Sequence, residues 1–249
     1  MKFVKACVMA LALLANLCAT PAWAMTVQPV VIDLTVSGRG MSQVVTVENT
    51  FSTPLPVELR VQDLEFDENG VKGTGKDSGD LLIFPPQALI QPGQTQSFRV
   101  QYVGDPDLKA SKHYYITVAQ LPVKLPEGQS AIQILYNFQV LVSVTPANAK
   151  PAIAITAAEV GKNADGKPVP VLTLNNPSAA HGYLSSGRLR IVQTDASGKE
   201  VFRRTLSGPE VQQTIGFGLV GANQTRRMSL PILLPVDGGK VDASFTPDN

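Results

Sequence analysis

Residues 130–146 read SAIQILYNFQVLVSVTP, and every even position from 132 to 144 is apolar or aromatic: Ile132, Ile134, Tyr136, Phe138, Val140, Val142 and Val144. A period of two is that of an extended strand with one buried face. Taken as one strand, residues 132–144 reach about 44 Å at ~3.4 Å per residue, more than twice the ordinary ~17–20 Å. The run also lacks the devices that stop exposed strand edges from pairing with neighbours, since 131–145 contain no charged residue, proline or glycine. One small sandwich accommodates 138–144 and leaves Ile132, Ile134 and Tyr136 without an evident partner in the chain. Length and composition leave two readings even: both halves lie in one curved sheet, or the first half pairs with another protein.

The rest of the chain is written in the same idiom. Short β-branched runs, many of them alternating, recur between turn residues: VVIDLTV (30–36), QVVTVEN (43–49), PVELRVQDLEF (56–66), QSFRVQYV (96–103), YYITVAQL (114–121), PVLTLNN (170–176), GRLRIVQTD (187–195), KEVFRRTL (199–206) and RRMSLPILLP (226–235). Residues 67–70 (DENG) and 91–94 (QPGQ) carry the residues that tight turns require. Past the first 24 residues no segment shows sustained helical periodicity. The pattern predicts an all-β chain, divided in the polar stretch 147–150 into sandwiches at 25–148 and 149–249. The Gly-rich loop 70–79 is expected to be mobile.

Lys2 and Lys5, an apolar run over 6–17 and the small-residue site Ala22-Trp23-Ala24 predict a secretory leader removed after Ala24. The run is shorter than the ~20 apolar residues of a membrane span, and no later segment approaches that length, so membrane insertion is not expected. Leu17 before Cys18 argues against a lipid-anchored cysteine. Cys7 and Cys18 are the only cysteines and Trp23 the only tryptophan, so the processed chain carries neither; its stability cannot rest on a disulfide. Without Lys2 and Lys5, 19 of the 21 basic residues face 20 acidic ones. That balance gives no basic field for nucleic acid.

Motifs for chemistry are weak. Gly70, Gly75 and Lys76 have the spacing of a phosphate-binding loop, but Asp77 stands where a Ser or Thr would hold magnesium, and no helix is expected to follow. His113 and His181, the only histidines, sit in no metal-binding or triad pattern. Carboxylates such as Asp67, Glu68, Asp77 and Asp80 fall in turns and polar faces. No cofactor, no metal and no enzymatic activity are expected.

Four segments, LLIFPPQALIQPGQTQSFRVQY (81–102), SKHYYITVAQLPV (111–123), AIQILYNFQVLVSVTP (131–146) and, more weakly, LTLNNPS (172–178), are similar to the periplasmic pilus chaperones of the chaperone/usher pathway. The resemblance spans essentially the whole chain after the leader, at low identity. It implies two immunoglobulin-like β-sandwich domains set as a boomerang. In that family the last long strand of the first domain inserts its alternating apolar residues into the groove of a pilin subunit that lacks a strand, which is donor-strand complementation. Carried onto this sequence, it implies Ile132, Ile134 and Tyr136 as inserting residues, with Phe138 a candidate fourth. It further implies a periplasmic location, pilin subunits and an outer-membrane usher as partners, and self-association as a candidate state of the free protein. The loop 124–130 before the strand is short, as in short-loop members.

The departures are specific. Typical members hold the pilin's terminal carboxylate with an arginine in the first strand and a lysine late in the long strand. Here 27–36 contain no basic residue, and Leu141 occupies the lysine's position. The acidic-serine signature before the penultimate strand is replaced by Ser111-Lys112-His113-Tyr114-Tyr115. These absences make the sequence more similar to the archaic and alternative branches. A carboxylate still needs charge-assisted donors, which makes Arg99 the first anchor candidate; His113 and Tyr115, expected to face inward with Ile116 and Val118, are the supporting ones. Two other functions compete: a fimbrial subunit or adhesin, and a secreted carbohydrate-active sandwich protein. The mid-chain position of the alternating run disfavours the first, and the lack of a tryptophan platform disfavours the second.

Overall fold

The computed structural model describes residues 25–68, 70–123 and 134–248, so the predicted leader and Ile132 lie outside the described residues. The first half is built from β1 (Met25–Gln28), β2 (Val31–Thr35), β3 (Ser42–Asn49), β4 (Leu55–Phe66), β5 (Val71–Gly73), β6 (Leu81–Phe84), β7 (Gln87–Ile90), β8 (Thr95–Tyr102), β9 (Lys112–Gln120) and β10 (Asn137–Thr145). One sheet runs β1-β3-β8-β6; the other runs β2-β10-β9-β4-β5, with β7 also on β4. Pro29, which has no N–H to give to a ladder, lies where the chain leaves β1 in the first sheet for β2 in the second.

Alternation decides what each strand buries. Phe98, Val100 and Tyr102 of β8 face Tyr114, Ile116 and Val118 of β9 and Val140, Val142 and Val144 of β10 across one apolar layer. The three β10 valines are completely buried, and each contributes about 1.5–3 kcal/mol of apolar burial before ordering costs. The strands anticipated over 30–36, 43–49, 56–66, 96–103 and 114–121 are present, within a residue or two at their ends. At Gln91-Pro92-Gly93-Gln94, Gln94 N–H donates to Gln91 O at 3.0 Å and Gly93 takes φ +70, the backbone that a side chain disfavours.

The second half contains β11 (Ala154–Lys162), β12 (Pro168–Asn176), β13 (Gly182–Tyr183), β14 (Gly187–Thr194), β15 (Glu200–Leu206), α1 (Gly208–Ile215), β16 (Leu219–Val220), β17 (Gln224–Ser229) and β18 (Lys240–Pro247). They form sheets β11-β12-β17 and β15-β14-β18 and the short pair β13-β16 around a separate apolar cluster that includes Leu172, Leu174, Leu189, Ile191 and Leu206. The motif ending LTLNNPS has a structural role here. Asn176 is fully buried; its Nδ2 donates to the carbonyls of Ala180 (2.8 Å) and Gly221 (2.9 Å), and its Oδ1 accepts from Ser178 Oγ (2.8 Å). Asn49 ends β3 in the same manner, donating from Nδ2 to Ile90 O and Thr53 O. Asn176→Ala takes the donor from the Gly221 carbonyl and the acceptor from the Ala152 and Ser178 N–H groups and is expected to cost about 2–5 kcal/mol of unfolding free energy, read as a lower midpoint in urea titration.

Two expectations are corrected. The helix α1 went unanticipated because its eight residues are too few to show periodicity. Its signal is local: Glu210 reaches back to accept the Ser207 N–H at 2.8 Å and hydroxyl at 2.6 Å, half of a capping box. Segment 70–79, expected to be mobile, is instead tied down. Its β5 pairs with β4, Thr74 Oγ1 donates to Asp63 O at 3.0 Å, and Ser78 Oγ donates to Asp63 Oδ1 at 2.9 Å.

Candidate functional site

The alternating run divides at its middle. From Asn137 onward β10 is antiparallel to β9, and only from Leu141 to Thr145 does it gain a second neighbour, the parallel β2. The first bond on that side is Leu141 N–H to Val30 O at 2.9 Å. Among the described residues, the side of residues 137–140 facing away from β9 has no strand partner. Ahead of it Ile134 is 70% exposed, Leu135 42% and Tyr136 37%. Tyr136 is held at the margin: its carbonyl accepts the Gln120 N–H at 3.0 Å, its N–H donates to Gln120 Oε1 at 3.2 Å, and its ring lies 5.8 Å from that of Phe51. Phe138 is half-buried against the core. The exposed apolar side chains of 134 and 136 thus share the parity of the buried valines.

The root of β10 is fastened to the second half of the molecule. Ser143 Oγ lies 2.9 Å from His113 Nδ1 and 3.2 Å from Tyr183 OH, and Thr145 Oγ1 lies 3.3 Å from His181 Nδ1. Tyr183 OH donates to Asp33 Oδ1 at 2.8 Å, and His181 Nε2 meets the same oxygen at 2.9 Å. Facing a carboxylate, that nitrogen carries a proton. Burial, and then the nearby Asp33 charge, push the Tyr183 phenol well above the usual tyrosine range, so it stays a donor. Beside this network runs a groove of about 1040 Å³, lined by Val27, Pro29, Val30, Val31, Asp33 and Val44 from the first half and by Tyr183, Ser185 and Phe217 from the second.

The three anchor candidates are not brought together. Arg99 stands on the outer face of the β1-β3-β8-β6 sheet, between Val44 and Phe84 in register, with Nη2 3.4 Å from Ser42 Oγ. His113 and Tyr115 belong to the other sheet. Strand alternation puts Tyr114, Ile116 and Val118 inward and His113 and Tyr115 on the opposite face, contrary to the expectation that they point in with Ile116 and Val118. His113 is nonetheless buried, because Phe66 (ring centroids 4.6 Å apart) and His181 (5.0 Å) cover it. Burial, with His181 adding to it, pushes its pKa down to about 3, and among the described residues its Nε2 has no hydrogen-bond partner. Asp33, His181 and Tyr183 carried no local sequence signal: Asp33 and His181 lie 148 residues apart.

The family model for pili and flagellar-assembly chaperones, PapD N-terminal domain, matches residues 25–150. No curated protein matches by sequence. Among solved structures the chain is similar to the YadV chaperone, at 14% identity over 89% of this chain and 91% of that chain, with TM-score 0.53. It is similar to the Class 5 fimbriae chaperone CfaA at 10% identity, over 91% of this chain and 100% of that chain, with TM-score 0.52. A chain of the CsuC–CsuE chaperone–tip adhesion subunit pre-assembly complex, from the archaic chaperone-usher Csu pili of Acinetobacter baumannii, matches at 16% identity over 88% of this chain and 91% of that chain, with TM-score 0.51. At such identities the likeness is one of fold, a two-domain all-β architecture. The chain belongs to the pili and flagellar-assembly chaperones.

Proposed function

We propose that this protein is a periplasmic, non-enzymatic chaperone that captures pilin subunits by lending them residues 132–138 and then passes them to an outer-membrane usher. Ile132, Ile134 and Tyr136 insert, with Phe138 as the fourth residue at the border of the protein's own core. The observation that carries this reading is the open side of β10 at 137–140, continued by the exposed Ile134 and Tyr136. A strand laid there gains main-chain hydrogen bonds for affinity, while pockets for alternate side chains set its register. The two separate apolar clusters support a division into domains at 148/149, and Arg99 remains the accessible one of the three anchor candidates.

Co-expression with a fimbrial subunit tests the proposal. A soluble complex of one chaperone and one subunit, formed without added nucleotide and resolved by gel filtration, is the expected result. A subunit that stays equally insoluble with and without the protein overturns it.

A further inference from the structure

We infer that the groove at Asp33 takes a positively charged Lys or Arg side chain of the bound subunit, rather than the subunit's terminal carboxylate. The inference rests on the strand-lending reading above and adds to it the chemistry of the neighbouring subsite. A strand laid along the open side of 137–140 runs in line with β2 and meets Pro29 and Val30 at its end, because Leu141 N–H is already bonded to Val30 O. Both residues line the groove. Asp33 follows Val31 by two residues on the same face of β2, about 7 Å further on, within reach of an extended Lys or Arg.

The lining chooses the sign of the charge. Pro29, Val30, Val31, Val44 and Phe217 are apolar, and among the described residues that line the groove Asp33 is the sole charged side chain. Its carboxylate is aimed by two groups on one oxygen, Tyr183 OH at 2.8 Å and His181 Nε2 at 2.9 Å. Half of the side chain is exposed (52%), and among the described residues no donor is bonded to Oδ2. An anionic chain end brought beside it meets a like charge in apolar surroundings, whereas an ammonium or guanidinium gains a charge-assisted hydrogen bond.

The test compares the processed wild-type protein with Asp33→Asn and Tyr183→Phe, each in complex with a co-expressed fimbrial subunit, with complex lifetime measured at about 50 mM and about 500 mM NaCl. Asn keeps an oxygen for Tyr183 and removes only the charge; Phe loosens the network and keeps the charge. Asp33→Asn is expected to shorten the lifetime at low salt by about tenfold or more and to abolish its salt dependence, while Tyr183→Phe retains that dependence. A photo-cross-linker at Val30 is expected to recover a subunit segment bearing Lys or Arg.

An Asp33→Asn complex as long-lived and as salt-sensitive as wild type overturns the inference, as does a cross-link to the subunit's last residue with no cation beside it. The double variant Ile134→Asp, Tyr136→Asp separates the two ideas. If it releases the subunit and Asp33→Asn does not, strand lending stands and the groove assignment falls. If it too leaves the complex intact, the strand-lending reading itself fails.

Discussion

Changing Ile134 and Tyr136 together to Asp is expected to abolish subunit capture while leaving the chaperone folded. Ile134 is 70% exposed and Tyr136 37%, so the free protein loses little beyond the Tyr136–Phe51 ring contact, worth about 1 kcal/mol. In a complex both side chains leave water. Their apolar burial is worth about 1.5–3 kcal/mol each, and a carboxylate in an apolar pocket costs more than the lost burial. Affinity is expected to fall by at least about a hundredfold. The measurement pairs a pull-down of the subunit with a urea titration of the variant alone. Capture at wild-type level rules out insertion by this segment. A collapsed urea midpoint instead shows that the two residues serve the protein's own core. Val142→Ala is the matched contrast: fully buried, it is expected to lower the urea midpoint first and to affect capture only through the fold.

The second large effect is acid sensitivity. His113 is neutral in the fold, with a pKa near 3 set by burial and then by His181, against about 6.5 in an unfolded chain. Between these values the unfolded chain binds a proton that the folded chain refuses. The stabilisation is therefore intact above about pH 6.5 and is lost as pH falls toward 3, at up to about 1.4 kcal/mol per pH unit. Asp33, His181 and Tyr183 sit in the same hydrogen-bonded network, so the weakened element is the seam between the two halves. Unfolding free energies from urea titration at pH 7 and pH 5 are expected to differ by about 2 kcal/mol more in wild type than in His113→Gln. Equal slopes in the two proteins remove His113 as the cause.

How much of this was legible depended on how far apart the interacting groups lie in the chain. Alternation is local, so Val140, Val142 and Val144 announced a buried face, and the unbroken pattern through Ile134 and Tyr136 announced more apolar surface than one sandwich consumes. The turn at Gln91-Pro92-Gly93-Gln94 was equally plain, since Pro and Gly each restrict their own backbone. The face of His113 was not: expected inward with Ile116 and Val118, it lies on the outer face of its sheet, and what buries it there comes from β4 and from residue 181. Asp33 passed unnoticed for the same reason, because a lone acid in a strand is an ordinary solvated residue until distant residues such as His181 and Tyr183 are brought to it. The helix at Gly208–Ile215 failed for a different reason. Periodicity needs length, and only the Ser207/Glu210 spacing marked it.

The bonds at the root of β10 have a mechanical consequence. On the strand-lending proposal, a subunit tugging on Ile134 pulls along the strand axis, and β10 lies between two neighbours, antiparallel β9 and, from Leu141 onward, parallel β2. Such a load is borne in shear, by the ladder bonds acting together, rather than by peeling them one at a time. Beyond the ladder the load reaches Ser143 and Thr145, and through them His113, His181 and Tyr183. In that proposal residues 134–136 are anchored like a cantilever whose wall is both halves of the molecule, so the free end can be handed over without drawing its own base out of the sheet.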